Sequence, residues 1–159
     1  MDESESEAAI VLGNLPTHVV WMLRQIPIAE ELSSPDAEDR LFPEPSDDSD
    51  LVDDWKTLVQ PELLDSFRSA RQVVESDLKR MVGTNEAHSL EIPLNHAEAW
   101  LNALNQLRLA IAASHHLSEE ELSREEAPEA HTPRDLAVLR VHFYGYLQHV
   151  ILDAMGETF

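Results

Sequence analysis

The sequence contains no cysteine, which excludes disulfides, thiol catalysis and thiolate metal sites. It has only four glycines in 159 residues, too few for an all-β chain built on tight turns. Aromatic residues make up 6%, so the core has to be mostly aliphatic. Basic residues are outnumbered, with 11 Lys and Arg against 31 Asp and Glu and a net charge of −20. A chain of that charge repels phosphate backbones, and a nucleic-acid binder of the usual kind is disfavoured. No apolar run approaches the ~20 residues that a membrane-spanning helix needs. Residues 1–7 are acidic, unlike the basic start of a signal or transit peptide. These absences point to a cytoplasmic protein without a membrane partner.

What is present is enough for a folded core. Hydrophobic residues make up 43% of a chain of 18.0 kDa, which has room for a single domain. The acidity is unevenly placed. Residues 1–7, 30–54 and 119–129 carry 21 of the 31 acids and two of the 11 bases, so the rest of the chain is close to neutral. The expected organisation is an acidic flexible tail over 1–13 and a single helical domain over 14–159. The run DDSDLVDD at 47–54 lacks the glycine and the closing glutamate of an EF-hand loop, so it is read as solvated chain.

Proline and apolar spacing divide the domain. Asn14-Leu15-Pro16 reads as a helix start, and Val19, Val20, Leu23 and Ile26 share one side of 16–26. Pro27 ends that helix, and Ser34-Pro35-Asp36 can open one more turn. Ser49 or Asp50 can cap a helix with Leu51, Val52, Trp55, Leu58 and Val59 at helical spacing. The next helix, about 61–82, has Leu64, Phe67, Val74, Leu78 and Met81 on one stripe, with Gly83 as its C-cap. Residues 84–93 read as a loop. The helix over 95–115 carries Trp100, Leu104, Leu107 and Ile111, with Asn95 and Glu98 spaced as a capping box. Ser118 opens a short acidic turn. The last helix, from Pro133 to Met155 with Thr132 as its cap, has a stripe of Leu136, Leu139, Phe143, Leu147 and Val150 and is apolar on most sides. No segment alternates strictly enough for a strand. The fold class is therefore all-α: a compact helical bundle of four to five main helices with short accessory helices, no sheet, and the 95–115 and 133–156 helices antiparallel in the middle.

The string WLNALNQLRLAIA, Trp100 to Ala112, resembles an uncharacterised bacterial family, the domain of unknown function DUF2017, common in actinobacteria. Three further blocks are similar to that family: DRLFPEPSDD at 39–48, the helix through Phe67, Arg71 and Val74, and YGYLQ at 144–148. The similarity covers about 15–156. One departure is the absence of the Tyr that usually precedes Pro-Asp-Asp in the loop. The resemblance implies a mostly helical bacterial protein, with a place in proteolysis or regulation, and it supplies no activity.

Three arginines fall on apolar helix faces. Arg71 lies on the stripe of Leu64, Phe67, Val74 and Leu78. Arg108 lies among Ala97, Leu101 and Ala112, and Arg140 among Leu136, Phe143 and Leu147. A buried guanidinium without a partner is costly, so each needs a carboxylate, a carbonyl or water. Glu75 and Glu98 are the expected internal partners. The alternative is a pocket in which Arg71, Arg108 and Arg140, with Asn105 as a neutral hydrogen-bonding group, hold an anionic carboxylate ligand. Asp135, His142, Tyr146, His149 and Asp153 share another face of the last helix, read as its solvent side and not as a metal site. The adjacent His115 and His116 suit a helix C-terminus. No nucleophile elbow, phosphate-binding loop, dinucleotide fingerprint or zinc-protease motif is present. The expected function is a non-enzymatic interaction or regulatory protein with a protein partner and without cofactor or metal. The competing reading is a small-ligand binder or enzyme acting on a carboxylate. At −20, binding to duplex DNA should be undetectable at physiological salt and micromolar protein, and a sequence-specific gel shift would contradict this.

Overall fold

A computed structural model describes residues 8–41, 48–84, 87–123 and 131–156. Helix accounts for 74% of them. A strand β1 (Ala9–Leu15) leads into α1 (Thr17–Gln25), a 3₁₀ turn (Glu30–Ser33), α2 (Pro35–Leu41), α3 (Ser49–Leu58) and α4 (Gln60–Lys79). Strand β2 (His88–Pro93) and a 3₁₀ turn (Leu94–His96) follow, then α5 (Ala97–Ser114), α6 (Glu119–Ser123) and α7 (Pro133–Gly156). The architecture is helical, as the sequence indicates, with one small sheet that it does not.

The sheet is an antiparallel pair of β1 and β2, with Ile10 opposite Ile92 and Leu12 opposite Leu90. It corrects the expectation of no sheet, and it places a strand within the segment 84–93 expected to be a loop. The part of the expected tail that is described, from Ala9 onward, is likewise strand, and Ile10 is buried. Residues 1–7 of that tail lie outside the described residues. Alternation is too short to register in either strand alone. Ile10 and Leu12 point inward around an exposed Val11, and Leu90 and Ile92 around Glu91. The two segments acquire a common buried face only when paired, and that face covers the helical core. Asn14, at φ 53, and a register shift between Leu12 and Leu15 turn the chain out of the sheet. Pro16, not Asn14, then stands before α1, and its carbonyl accepts from the amides of Val19 and Val20 at 3.0 Å each.

Side-chain caps fix several helix starts. Ser34 Oγ accepts from Ala37 N at 3.1 Å ahead of α2, and Thr132 Oγ1 from Asp135 N at 3.0 Å in α7. Ser118 and Glu121 form a reciprocal capping box at α6, at 2.9 and 3.1 Å. The cap of α3 is Asp48, whose carboxylate accepts from Asp50 N at 2.9 Å, one residue before the expected Ser49. The box expected from Asn95 and Glu98 does not form, because the 3₁₀ turn Leu94–His96 runs straight into α5.

α5 is the central element, with Trp100, Leu104, Leu107 and Ile111 fully enclosed. α7 packs against it antiparallel. Gln148 reaches the Leu101 carbonyl, Gly145 lies under Arg108, and Arg134 reaches the carbonyls of His115 and His116. The buried face of α7 is Ala137, Val138, Val141, Tyr144, Leu147 and Ile151. The expected stripe of Leu136, Leu139, Phe143, Leu147 and Val150 is out of phase with it and mostly half-buried. A helix apolar on most sides leaves its own phase undetermined.

Gly83 is not the cap of α4, which closes at Arg80. It sits beyond an isolated bridge between Val82 and Ser89, at φ 117. A Cβ there would fall 2.3 Å from the Ala87 carbonyl oxygen, so both strain and contact exclude a side chain. Gly83→Ala should destabilise the fold by more than ~1 kcal/mol. Thermal unfolding of the variant checks this, and an unchanged midpoint contradicts it.

Candidate functional site

The interior polar groups fall into separate clusters. The first joins α7, the end of α5 and the 3₁₀ turn after α1. Arg140 on α7 donates to Glu31 through Nη1 at 2.7 Å and Nη2 at 3.2 Å, and His115 Nε2 lies 2.8 Å from the same carboxylate. The pair is enclosed, with 9% of the Arg140 and 12% of the Glu31 side chain exposed. Burial by itself would raise the Glu31 pKa. The hydrogen bonds from Arg140 and His115, with the charge of Arg140, outweigh it and hold the carboxyl at about 2. Burial likewise pulls Arg140 down, and the Glu31 bonds reverse that and raise it. One turn on, buried Tyr144 donates from its hydroxyl to the Met22 carbonyl at 2.8 Å and ties α7 to α1. Burial pushes its phenol pKa up against the opposing charge of Arg140.

Arg71 and Arg108 are held differently. Arg71 Nη1 donates to Gln106 Oε1 at 3.1 Å, and the Gln106 amide is fixed by donating to Asn102 Oδ1 at 3.0 Å and to the Phe67 carbonyl at 3.4 Å. Arg108 Nη1 donates to Gln148 Oε1 at 2.7 Å. Neither guanidinium has a carboxylate within ion-pair distance among the described residues. Burial lowers both pKa values, and for Arg71 the charge of Arg68 adds to the effect. The expected partners are therefore corrected. Glu75 pairs with Lys79 on the exposed side of α4, and Glu98 is exposed.

The three arginines do not share one pocket. Gln106, which holds Arg71, and Arg108 are two residues apart on α5, so they leave it in nearly opposite directions. Arg140 faces Glu31, while Arg108 faces Gly145 on another side of α7. Asn105 is exposed one turn before Arg108. Two surface clefts lie elsewhere: one is bounded by Arg24, Glu75, Leu78, Lys79 and Met81, the other by residues of α2, the turn before it and the start of α4. None of the four expected site residues lines either cleft.

One polar centre escaped the sequence reading. Asp77 of α4 is fully buried. Its carboxylate accepts from Trp100 Nε1 at 2.8 Å, lies 3.0 Å from His96 Nδ1 and pairs with Arg80. The signal was available, since Asp77 stands between Val74 and Leu78 on the stripe that also holds Arg71. An acid on an apolar stripe is marked as inward by the same helical spacing as an arginine. Apart from His96 and His115, which meet the enclosed Asp77 and Glu31, three further histidines have partners of their own. His149 pairs with Asp153 at 3.2 Å, His116 with Asp36 at 3.3 Å, and His142 Nε2 is 3.2 Å from the Glu121 carbonyl. Among the described residues no three His, Asp or Glu side chains gather as metal ligands, and no helix is long and apolar enough to cross a membrane.

The family model for the domain of unknown function DUF2017 matches residues 2–155. A Mycobacterium leprae (strain TN) protein, AosR, named for a proposed role as an oxidative stress regulator, is 31% identical over 164 residues, spanning 99% of this chain and 69% of that relative. No solved structure matches the chain. The chain belongs to the DUF2017 family.

The Glu31 pair makes stability depend on pH in a definite direction. The folded carboxyl titrates at about 2, below the ordinary 4.5. Its stabilisation is complete above the ordinary value and is lost as pH falls toward about 2. Glu31→Gln should remove that part of the acid dependence. It should also destabilise the fold at neutral pH by ~3–5 kcal/mol, because Arg140 stays buried without its counter-charge. Denaturant unfolding at pH 7 and pH 3 checks both, and parallel losses in variant and wild type would contradict the assignment.

Proposed function

We propose that this member of the DUF2017 family is a non-enzymatic, cytoplasmic regulatory protein that works by binding a protein partner through α3. The observation that carries this reading is an apolar stripe left open to solvent. Leu51, Leu58 and Val59 are 54%, 66% and 42% exposed, and Trp55 lies half-exposed between them at helical spacing. Val52 is the residue of α3 that is buried, and α3 packs against α4. Burying exposed Leu and Trp supplies affinity, at ~25 cal/mol per Å² of apolar surface removed from water.

Asp50 and Asp54 flank the stripe on one side. With the overall charge of −20, they suit a partner segment that is amphipathic and basic. Nucleic acid does not meet that description, because its phosphate backbone carries the same sign of charge as this chain. The name of the mycobacterial relative supports a regulatory role. Any response of this chain to oxidants cannot be a thiol–disulfide switch, because it has no cysteine.

The test is a Leu51→Ser/Leu58→Ser variant. Both positions are exposed, so its melting temperature should stay close to that of wild type. A partner recovered by crosslinking to wild type should be lost from the variant, and its binding should weaken with added salt. Retention of that partner by a folded variant would refute the role of α3.

A further inference from the structure

Arg108 is built into the α5–α7 contact in a way that packing alone does not require. Its guanidinium lies against the backbone of Gly145. A Cβ at that position would be 3.2 Å from Cζ and Nη2 and 3.3 Å from Nε, so a side chain there would press the cation away by a few tenths of an ångström. Gln148, almost one turn on, braces it. The Gln148 amide donates to the Leu101 carbonyl at 3.4 Å, which turns Oε1 toward Arg108 Nη1 at 2.7 Å.

A guanidinium has five N–H donors. One here has an acceptor, and Nε is enclosed with none, as is the Nε of Arg140, so the difference between the two arginines lies at their terminal nitrogens. In a chain with 31 acids, no carboxylate of the described residues pairs with this cation. Arg140, one face away on α7, shows the contrasting solution, with Glu31 on both its terminal nitrogens. Exposed Asn105 adds an amide one turn before Arg108 on the same face of α5.

We propose that Arg108, seated on Gly145 and braced by Gln148, is a binding site for a carboxylate group. The carboxylate takes the place next to Arg108 that Glu31 takes next to Arg140, on the terminal-nitrogen donors that Gln148 leaves free. A carboxylate fits better than a phosphate. It is a planar monoanion that matches the edge of a single guanidinium. A phosphate dianion calls for further cations, and Asn105 and Gln148 supply none. Burial, which destabilises the unpaired cation and lowers its pKa, makes an added anion more favourable. The site is distinct from the α3 stripe and stands or falls separately from it.

The source of the carboxylate is either a free small acid or the C-terminus of a peptide, and one experiment separates them. The Arg108 Nε–H signal is followed by NMR during titration with sodium acetate at constant ionic strength, with sodium chloride as control. A tetra-alanine peptide with a free or an amidated C-terminus forms the second arm. Wild type should show a saturable shift in the millimolar range with acetate and with the free peptide, and none with chloride or the amidated peptide. Tighter binding of the free peptide than of acetate identifies a chain terminus, and equal binding identifies a small acid. Gly145→Ala should displace the guanidinium and weaken the response by roughly tenfold. Gln148→Leu provides the same reading should Gly145→Ala not fold. Acetate should also raise the melting temperature of wild type over chloride, and not that of Arg108→Met. Absence of a saturable shift with both probes, or an equal acetate-dependent rise in Arg108→Met, overturns the proposal.

Discussion

The ion pair between Glu31 and Arg140 settles how the last helix sits, and the rest of the bundle follows from it. α7 carries apolar side chains on most of its circumference, so burial alone permits several rotations. A guanidinium with 9% of its surface exposed permits one, because any other rotation strands it from its carboxylate at a cost of several kcal/mol. With Arg140 on Glu31, Val141 and Tyr144 enter the core and Gly145 comes under Arg108. His115 joins the same carboxylate and fixes the end of α5 as well. The polar contact supplies the phase that an evenly apolar helix lacks.

The inward arginines divide by the charge of what receives them. Arg140 meets a carboxylate, and its charged form is favoured. Arg71 and Arg108 meet the neutral amides of Gln106 and Gln148, and burial works against their charge. Each glutamine is itself locked by donating to a backbone carbonyl, so the acceptor cannot turn away. The result is a scaffold in which two cations meet no carboxylate among the described residues, while 21 of the 31 acids fall within 1–7, 30–54 and 119–129. Asp77 completes the arrangement from the acidic side, enclosed and bonded to the indole of the central helix.

Much of this was legible in the sequence, and what was not has common causes. Helical spacing gives α3, α4, α5 and α7, because each repeats an apolar position often enough to show a period. The Ser118 and Thr132 caps follow from local chemistry. The inward direction of Arg71 follows from its place on the α4 stripe, whereas the α7 stripe that holds Arg140 is out of phase with the buried face. The partners of the arginines do not follow, because Glu31 reaches Arg140 across 109 residues and a face assignment carries no information on what comes to meet it. The sheet stays hidden for the same reason, since neither strand has a buried face until the other arrives. The group that approaches Gly145 is a charged side chain rather than a backbone, and its sequence neighbours carry no sign of that.

The span of these contacts also orders events in time. β1 pairs residue 9 with residue 93, and Glu31 waits for a helix near the far end of the chain. Closing such loops is entropically expensive until other contacts have shortened the effective distance. α4, the 3₁₀ turn Leu94–His96 and α5 are close in sequence and share the Asp77 cluster, so they form the part that assembles from nearby contacts. During synthesis the first third of the chain therefore emerges before its partners exist, carrying an unpaired strand edge and an uncompensated acid. The clustering of negative charge in that same third sets like chains to repel one another over that interval.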